Sequence, residues 1–440
     1  MRSLCVCITL CSWLTQTVAD DEWTQFRGPG SQGRSMSTSL PVHWSEDENI
    51  RWKSPVPGEG HSSPVISGDQ VWITTALSDP LTEEEEQELL SKRKNARTLK
   101  LAGRLQLQAL QFDRDSGMLE QQITVFSVEE PEPKHALNSY ASPTPVIVGN
   151  HVYVHFGSYG TACIERHSGN VIWKNDTLRV DHSNGPGSSP AVWDNKLIIH
   201  FDGTDQQYIA AFDRATGDIA WKTERSGEMN PTGEMKKAYG TPLVIETEDC
   251  PLVVSPAADW VYGYDARDGR EIWKASYGKL GFSTVPCPVA SEDTVYVATS
   301  FMQSRLLAVG FSGEGDVTDS HIRWTSDRQI PQKPSMILSD DRLIFVSDRG
   351  IVRSISTKDG SDIWYGRLKG EYSASPLLAN GRIYFFNQSG VATVIEDSGT
   401  LQELAVNKLD DGFMASPAVA DDALFLRTTS HLYRVEDSTP

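Results

Sequence analysis

From residue 49 onward the chain repeats itself about every 45 residues, and a period of that size restricts the fold to stacked or ring-forming repeat architectures. Each unit reads small-Ser-Pro, a few apolar residues, a turn, a Val-Tyr-Val-like run, a third apolar run, Asp-x-x-Ser/Thr/Asp-Gly, and then Ile-x-Trp-Lys. Proline anchors at Pro64, Pro143, Pro190, Pro242, Pro286, Pro334, Pro376 and Pro417 give spacings of 79, 47, 52, 44, 48, 42 and 41. Within a unit the apolar residues alternate, as in His151-Val152-Tyr153-Val154-His155, which is the period-2 signal of a pleated strand. Four short antiparallel strands per unit, eight times over, predict an all-β fold: an eight-bladed β-propeller of four-stranded antiparallel blades.

Two residue types mark the end of each blade. Gly117, Gly169, Gly217, Gly269 and Gly360 close tight turns, and in three of them the leading Asp113, Asp213 or Asp265 can accept turn N–H groups. Trp52, Trp173, Trp221, Trp273, Trp324 and Trp364 sit on the following strand, with Phe126 and Leu404 expected in the equivalent place in the two degenerate units. The last unit stops after three strands, whereas Asn49–Lys53 forms an orphan Trp strand ahead of the first unit. Residues 49–56 are therefore expected to complete the eighth blade, so that the ring leaves no unpaired edge.

Organisation outside the repeat follows from composition. Arg2, the apolar stretch Leu4–Leu14 and the small residues of Thr17-Val18-Ala19 predict a signal peptide over 1–19. The remaining expectations are an N-terminal extension at 20–48, the propeller at 49–437 and a tail at 438–440. A helical insertion on a blade rim is expected at about 78–104, where Thr82-Glu83-Glu84-Glu85 fits a capping box. The net charge of −19 and pI near 5.0 give no electrostatic support for nucleic acid or anionic lipid as partner, and no segment approaches the ~20 apolar residues of a membrane span. Beyond the leader only Cys163, Cys250 and Cys287 remain, so at most one disulfide can form and stability rests on the core.

The Asp-x-x-Thr/Asp-Gly-x-x-x-Trp stretches at Asp213–Trp221 and Asp265–Trp273 resemble the tryptophan-docking motif of pyrroloquinoline-quinone (PQQ)-type β-propeller repeat proteins. The resemblance covers about residues 49–437, and Trp23-Thr24-Gln25-Phe26-Arg27-Gly28-Pro29-Gly30 is similar to the opening of exported bacterial members. It implies one of two occupations. Quinoprotein alcohol dehydrogenases of this superfamily hold PQQ beside Ca²⁺ on the ring axis, whereas the propeller subunit of the outer-membrane β-barrel assembly machinery is a scaffold without a cofactor. Adjacent cysteines and Cys-x-x-Cys-His, hallmarks of many quinoproteins, do not occur.

If a ligand binds, the loops entering each first strand and leaving each second strand should line its site. The richest are Asp181–Gly187 and Asp202–Asp205, where His182, Asn184, Asp202 and Asp205 could supply a general base and oxygen ligands for a cation. Asn, Gly and Asp also build ordinary turns. Tyr239, Asp259, Trp260, Lys333, Asp348 and Arg349 are further candidates, with Trp260 able to stack on a planar ring. His61, His135 and His151 have no ligand spacing. The expectation is an exported protein, periplasmic or extracellular, serving as a non-catalytic scaffold for protein, peptide or carbohydrate. The alternative is a PQQ- and Ca²⁺-dependent alcohol or sugar dehydrogenase.

Overall fold

The computed structural model describes residues 22–91, 93, 95–278 and 281–437, so the leader expected at 1–19 and the tail at 438–440 lie outside the described residues. The ring is an eight-bladed β-propeller. Its innermost strands are Val65–Ser67, Val146–Val148, Ala191–Trp193, Leu243–Glu246, Val289–Ala290, Ile337–Ser339, Leu377–Ala379 and Ala418–Ala420, and each opens an antiparallel blade of four strands. Numbered in that order, blades 1 to 7 are contiguous in sequence. Blade 8 takes its outer strand from Ile50–Pro55, which pairs antiparallel with His431–Val435. Apolar residues pack between blades: Tyr153 and Trp173 of blade 2 meet Leu197, Ile199 and Phe212 of blade 3.

Alternating strand direction gives the ring two unlike faces. Links between blades and loops between second and third strands emerge on one, called the connection face; the tight turns emerge on the other, the hairpin face. In the turns Asp113 Oδ1 accepts the Ser116 amide at 2.8 Å and Asp213 Oδ1 accepts the Ala215 amide at 2.8 Å. The Trp of one blade then lies on the turn glycine of the next. A Cβ on Gly117, Gly217 or Gly269 would come within 2.6 Å of Trp52, Trp173 or Trp221, which is why glycine is required there. Each indole also donates to a next-blade carbonyl: Trp52 to Arg114 at 2.9 Å, Trp173 to Arg214 at 2.9 Å, Trp221 to Ala266 at 3.1 Å, Trp324 to Thr357 at 2.8 Å and Trp364 to Ser398 at 3.1 Å. Trp52 thereby docks blade 8 onto blade 1 and closes the ring.

Strand register corrects two assignments. Each docking Trp faces the residue just before a bulge, as Trp173 faces Cys163. By that register the counterpart in blade 1 is Gln121, opposite Gln111, and in blade 7 it is Ala405, opposite Val394. Phe126 and Leu404 lie elsewhere on their strands. Gln121 keeps the docking chemistry, since its Nε2 donates to Arg166 O at 3.1 Å and its Oε1 sits 2.5 Å from where a Cβ on Gly169 would stand. Trp273 departs differently. The turn it would meet in blade 5 is expanded, with a short helix at Thr318–His321, and its fully buried indole N–H finds no acceptor among the described residues.

The anchors also shift in three blades. The residue immediately before the inner strand is Pro145 in blade 2, Pro288 in blade 5 and Met336 in blade 6, two positions beyond Pro143, Pro286 and Pro334. Aligned this way, the residue before each anchor is a hydroxyl in seven blades. The amides of Ser63, Thr144, Ser189, Cys287, Ser335, Ser375 and Ser416 each donate to the hydroxyl of the next blade at 2.9–3.0 Å, and Ser416 returns to Ser63. This belt encircles the axis. It is interrupted once, between Thr241 and Cys287, where a thiol replaces the hydroxyl.

The N-terminal extension is part of the ring. Trp23 pairs through its backbone with Ile66 of blade 1, Thr24 O accepts the Ile147 amide of blade 2, and Arg34–Ser35 adds in parallel to Leu378–Ala379 of blade 7. Gln32 Oε1 accepts the Ala290 amide of blade 5 and Arg27 donates to Met336 O of blade 6. All these partners lie on or beside inner strands, so residues 22–35 run along the axial channel. The chain then crosses blade 7, where Asn407 holds Val42 O and the Trp44 amide at 2.9 and 3.0 Å, and enters blade 8.

Candidate functional site

The loops singled out in the sequence all emerge on the connection face. His182 and Asn184 lie in the link from blade 2 to blade 3, and the Tyr239 hydroxyl from the next link donates to His182 O at 2.7 Å. Asn184 O accepts the His135 amide at 3.1 Å and the Asn138 carboxamide at 2.8 Å, tying in the link from blade 1. Asp205 Oδ1 caps the Asp181 amide at 2.8 Å. Four of the candidates thus meet in one cluster.

The insertion also reaches this cluster rather than staying at the rim. Its helix, Glu83–Leu90, carries the Thr82/Glu85 capping box, and Leu99–Lys100 pairs with Lys134–His135 beside the inter-blade links. Lys134 and Lys237, both nearly buried, pair with Glu59 at 3.0 Å and Glu234 at 2.5 Å. Three carboxyls from three loops share a neighbourhood: burial, then the charges of Asp181 and Asp205, push Glu132 up to about 7. The His182 ring is 7% exposed and neither nitrogen has a partner among the described residues. Burial holds its pKa down at about 4, so the imidazole is neutral at pH 7.

Asp202 is not in that cluster. Fully buried, it accepts Arg225 side-on, Nε to Oδ1 at 2.9 Å and Nη2 to Oδ2 at 2.7 Å. Arg225 also donates to Ser255 Oγ at 2.6 Å, which bonds His200 Nε2 at 2.7 Å, and its guanidinium lies 5.2 and 5.7 Å from the Tyr262 and Tyr264 ring centres. Burial opposes the charge on Arg225, but Asp202 outweighs it and keeps the guanidinium cationic, above its ordinary range. This network clamps blade 3 to blade 4. Sequence reasoning missed Arg225, Ser255 and His200, since their side chains meet only through blade packing.

Asp259 and Trp260 form a third place, on blade 4. Asp259, in the left-handed region at φ 62°, accepts the Asn230 amide at 3.0 Å, and burial raises its pKa. The Trp260 indole donates to Glu228 O at 2.9 Å and lies under Gly227, with Lys274 Nζ 5.3 Å from the ring. Lys333 pairs with Asp348 at 3.3 Å; Asp348 and Arg349 line a cleft of about 400 Å³ between blades 5 and 6, beside Met302, Gln303, Gln329 and Gln332. His61 stands in the wall between blades 8 and 1, where burial and then Arg427 and Lys134 hold its pKa down at about 3. His151 begins the second strand of blade 2, at the hairpin end.

As a seat for a planar quinone with calcium these residues do not fit. Asp202 has both oxygens bound by Arg225, and one face of Trp260 is covered by Gly227. Among the described residues no three His, Cys, Asp or Glu side chains converge as a metal-ligand set. Among the described residues Cys163, Cys250 and Cys287 are unbridged.

Comparison with known proteins agrees with the ring. The family model described as outer membrane protein assembly factor BamB matches three overlapping stretches, residues 24–231, 162–314 and 205–439. Among solved structures, BamB from Moraxella catarrhalis superposes with a TM-score of 0.51 at 17% identity, covering 82% of this chain and 99% of that one. A europium-containing methanol dehydrogenase gives 0.54 at 9% identity, over 94% and 90% of the two chains. A quinohemoprotein alcohol dehydrogenase from Pseudomonas putida HK5 gives 0.54 at 10% identity, over 96% and 82%. At these identities the likenesses establish the fold alone. No curated protein matches in sequence.

Proposed function

Since the chain belongs to the PQQ-type repeat family described as outer membrane protein assembly factor BamB, we propose that it is an exported, non-catalytic scaffold that binds a protein or peptide on its connection face. The observation that carries this reading is how the polar groups of that face are spent. Tyr239 and Trp260 donate to backbone carbonyls of neighbouring loops, Asp205 accepts a backbone amide, the Asn184 carbonyl accepts the Asn138 carboxamide, and Asp202 is clamped by Arg225; the buried His182 ring alone among these is neutral and without a partner among the described residues. Such a network makes a rigid platform rather than a set of free acids and bases aimed at one reacting atom. Over the platform stand Leu137, Phe301 and Met302, 50%, 55% and 57% exposed, and a flexible thioether beside a polar cleft suits a polypeptide surface.

The test is photo-cross-linking in cells from a benzoylphenylalanine placed at Met302 or Leu137, with Ile172, on an outer strand of blade 2, as the control position. One discrete adduct with an envelope protein from the connection face, and none from the control, is the expected result. The purified protein is also titrated with PQQ and Ca²⁺ while absorbance and alcohol-dependent dye reduction are followed. Stoichiometric binding with turnover would replace the scaffold by a quinoprotein dehydrogenase.

A further inference from the structure

Buried cations in this molecule are almost all matched. Arg225, Lys134, Lys237 and Arg353 each face a carboxylate, and Arg166 spends Nε, Nη1 and Nη2 on Gln70 Oε1, Ser67 Oγ and Ser67 O. Arg27 is different. Only 1% exposed in the axial channel, it donates through Nη2 to Gln32 O and Met336 O, while Nε and Nη1 have no partner and no carboxylate lies within ion-pair range among the described residues. The chain goes to some length to put the guanidinium there. Arg27 itself is left-handed at φ 64°, and Gly33, at φ 69°, is a residue whose Cβ would stand 2.7 Å from Arg27 Nη2.

The channel offers a second irregularity at the same height. Met336, which accepts from Arg27, follows Ser335, the belt hydroxyl bonded to the Cys287 amide at 3.0 Å. Cys287 is the one belt position without a hydroxyl, so the Thr241 amide lacks the oxygen that its counterparts in the other blades donate to. An unpaired guanidinium, an amide without its belt acceptor and a neutral thiol therefore belong to the same axial neighbourhood. An isolated buried cation is costly unless an anion neutralises it.

We propose that the axial channel holds a small monovalent anion of the chloride class, bound by the open N–H groups of Arg27 beside the gap in the hydroxyl belt at Thr241 and Cys287. Residues 22–35 tie Arg27 to blades 1, 2, 5, 6 and 7, so an ion held by its guanidinium would lock the segment in place. Burial draws the Arg27 pKa down to about 10 against an opposing pull from Cys287, and a bound anion would raise it.

The wild-type protein is melted in chloride, bromide or gluconate at equal ionic strength, and a crystal grown in bromide is examined by anomalous scattering. A saturable rise of ~3 °C in Tm at a hundredfold excess of halide over its dissociation constant is expected, with an anomalous peak in contact with the Arg27 guanidinium. Arg27→Met should abolish the halide dependence while leaving the general ionic-strength effect. Equal melting in chloride and gluconate, or a bromide map with no peak in the channel, overturns the proposal. Both of those readouts use the wild-type chain, so a poorly folding Arg27→Met leaves the test intact.

Discussion

Trp23→Ala probes the axial segment directly. The indole is 2% exposed and lies against Gly28, where a Cβ would come within 2.6 Å of its ring, while the Trp23 backbone pairs with Ile66. Truncating a buried Trp typically costs ~3–5 kcal/mol. The Trp23 indole N–H has no acceptor among the described residues, so the substitution removes no hydrogen bond and also relieves a buried donor, which places the expectation near ~3 kcal/mol. With an unfolding entropy of ~2.1 cal/mol/K per residue over ~400 residues, that lowers Tm by about 3–4 °C. Urea unfolding followed by fluorescence measures the loss. An unchanged m-value means that the segment stays seated until the ring unfolds, and a smaller m-value means that it has left the native channel. Met36→Ala, at a residue 82% exposed just beyond the segment, should stay within ~0.5 kcal/mol of wild type. If Trp23→Ala costs as little as Met36→Ala, residues 22–35 are not part of the cooperative fold and the account of the channel fails.

Three other perturbations follow from the geometry. Gln121→Leu should lose ~1–2 kcal/mol in urea, since Arg166 O loses a donor in the blade 1 to blade 2 dock, and a neutral result would mean that Gln121 does not stand in for tryptophan. Asp202→Asn should cost ~3–5 kcal/mol by stranding the buried Arg225, while Asp205→Asn costs under ~1 kcal/mol; equal losses would refute the clamp between blades 3 and 4. Glu132 binds its proton up to about pH 7 when folded but only to about 4.5 when unfolded, so rising pH through that window favours unfolding. Glu132→Gln should therefore raise Tm at pH 8 and leave it unchanged at pH 4; a variant that behaves alike at both would show that the three-carboxyl neighbourhood carries no charge strain.

The repeat was legible because its signals are local. A turn acid, a glycine and a tryptophan within nine residues, as at Asp213–Trp221, state a hairpin and its dock without reference to anything distant. Errors arose where a local signal was duplicated or its register hidden. Pro143 and Pro145, like Pro286 and Pro288, are equivalent by eye, and only the start of the inner strand separates them. The bulge that places Gln121 and Ala405 cannot be seen in composition. Residues 22–35 looked like an irregular lead because their partners, from Ile66 to Leu378, are spread over the whole chain, and contacts of that range leave no periodicity. The candidate site was half legible for the same reason: the face was implied by loop order, whereas the Arg225 clamp depends on how two blades pack.

Closure of the ring has a consequence for where function can reside. One stretch, residues 22–55, occupies the axis and then completes blade 8, and the docking turns that join neighbours all lie on the hairpin face or at the outer strands. Variation there is expensive, as blade 5 illustrates: its expanded turn leaves the Trp273 N–H without an acceptor among the described residues. The connection face carries less of this duty, chiefly the Asp202–Arg225 clamp that joins blade 3 to blade 4. Its long departures from the repeat, at 79–104 and in the links 176–190 and 225–242, bond to one another without disturbing a dock. A ring that docks its blades mainly on one face and concentrates its irregular loops on the other is freer to change the second, and that is the face on which a partner is expected to sit.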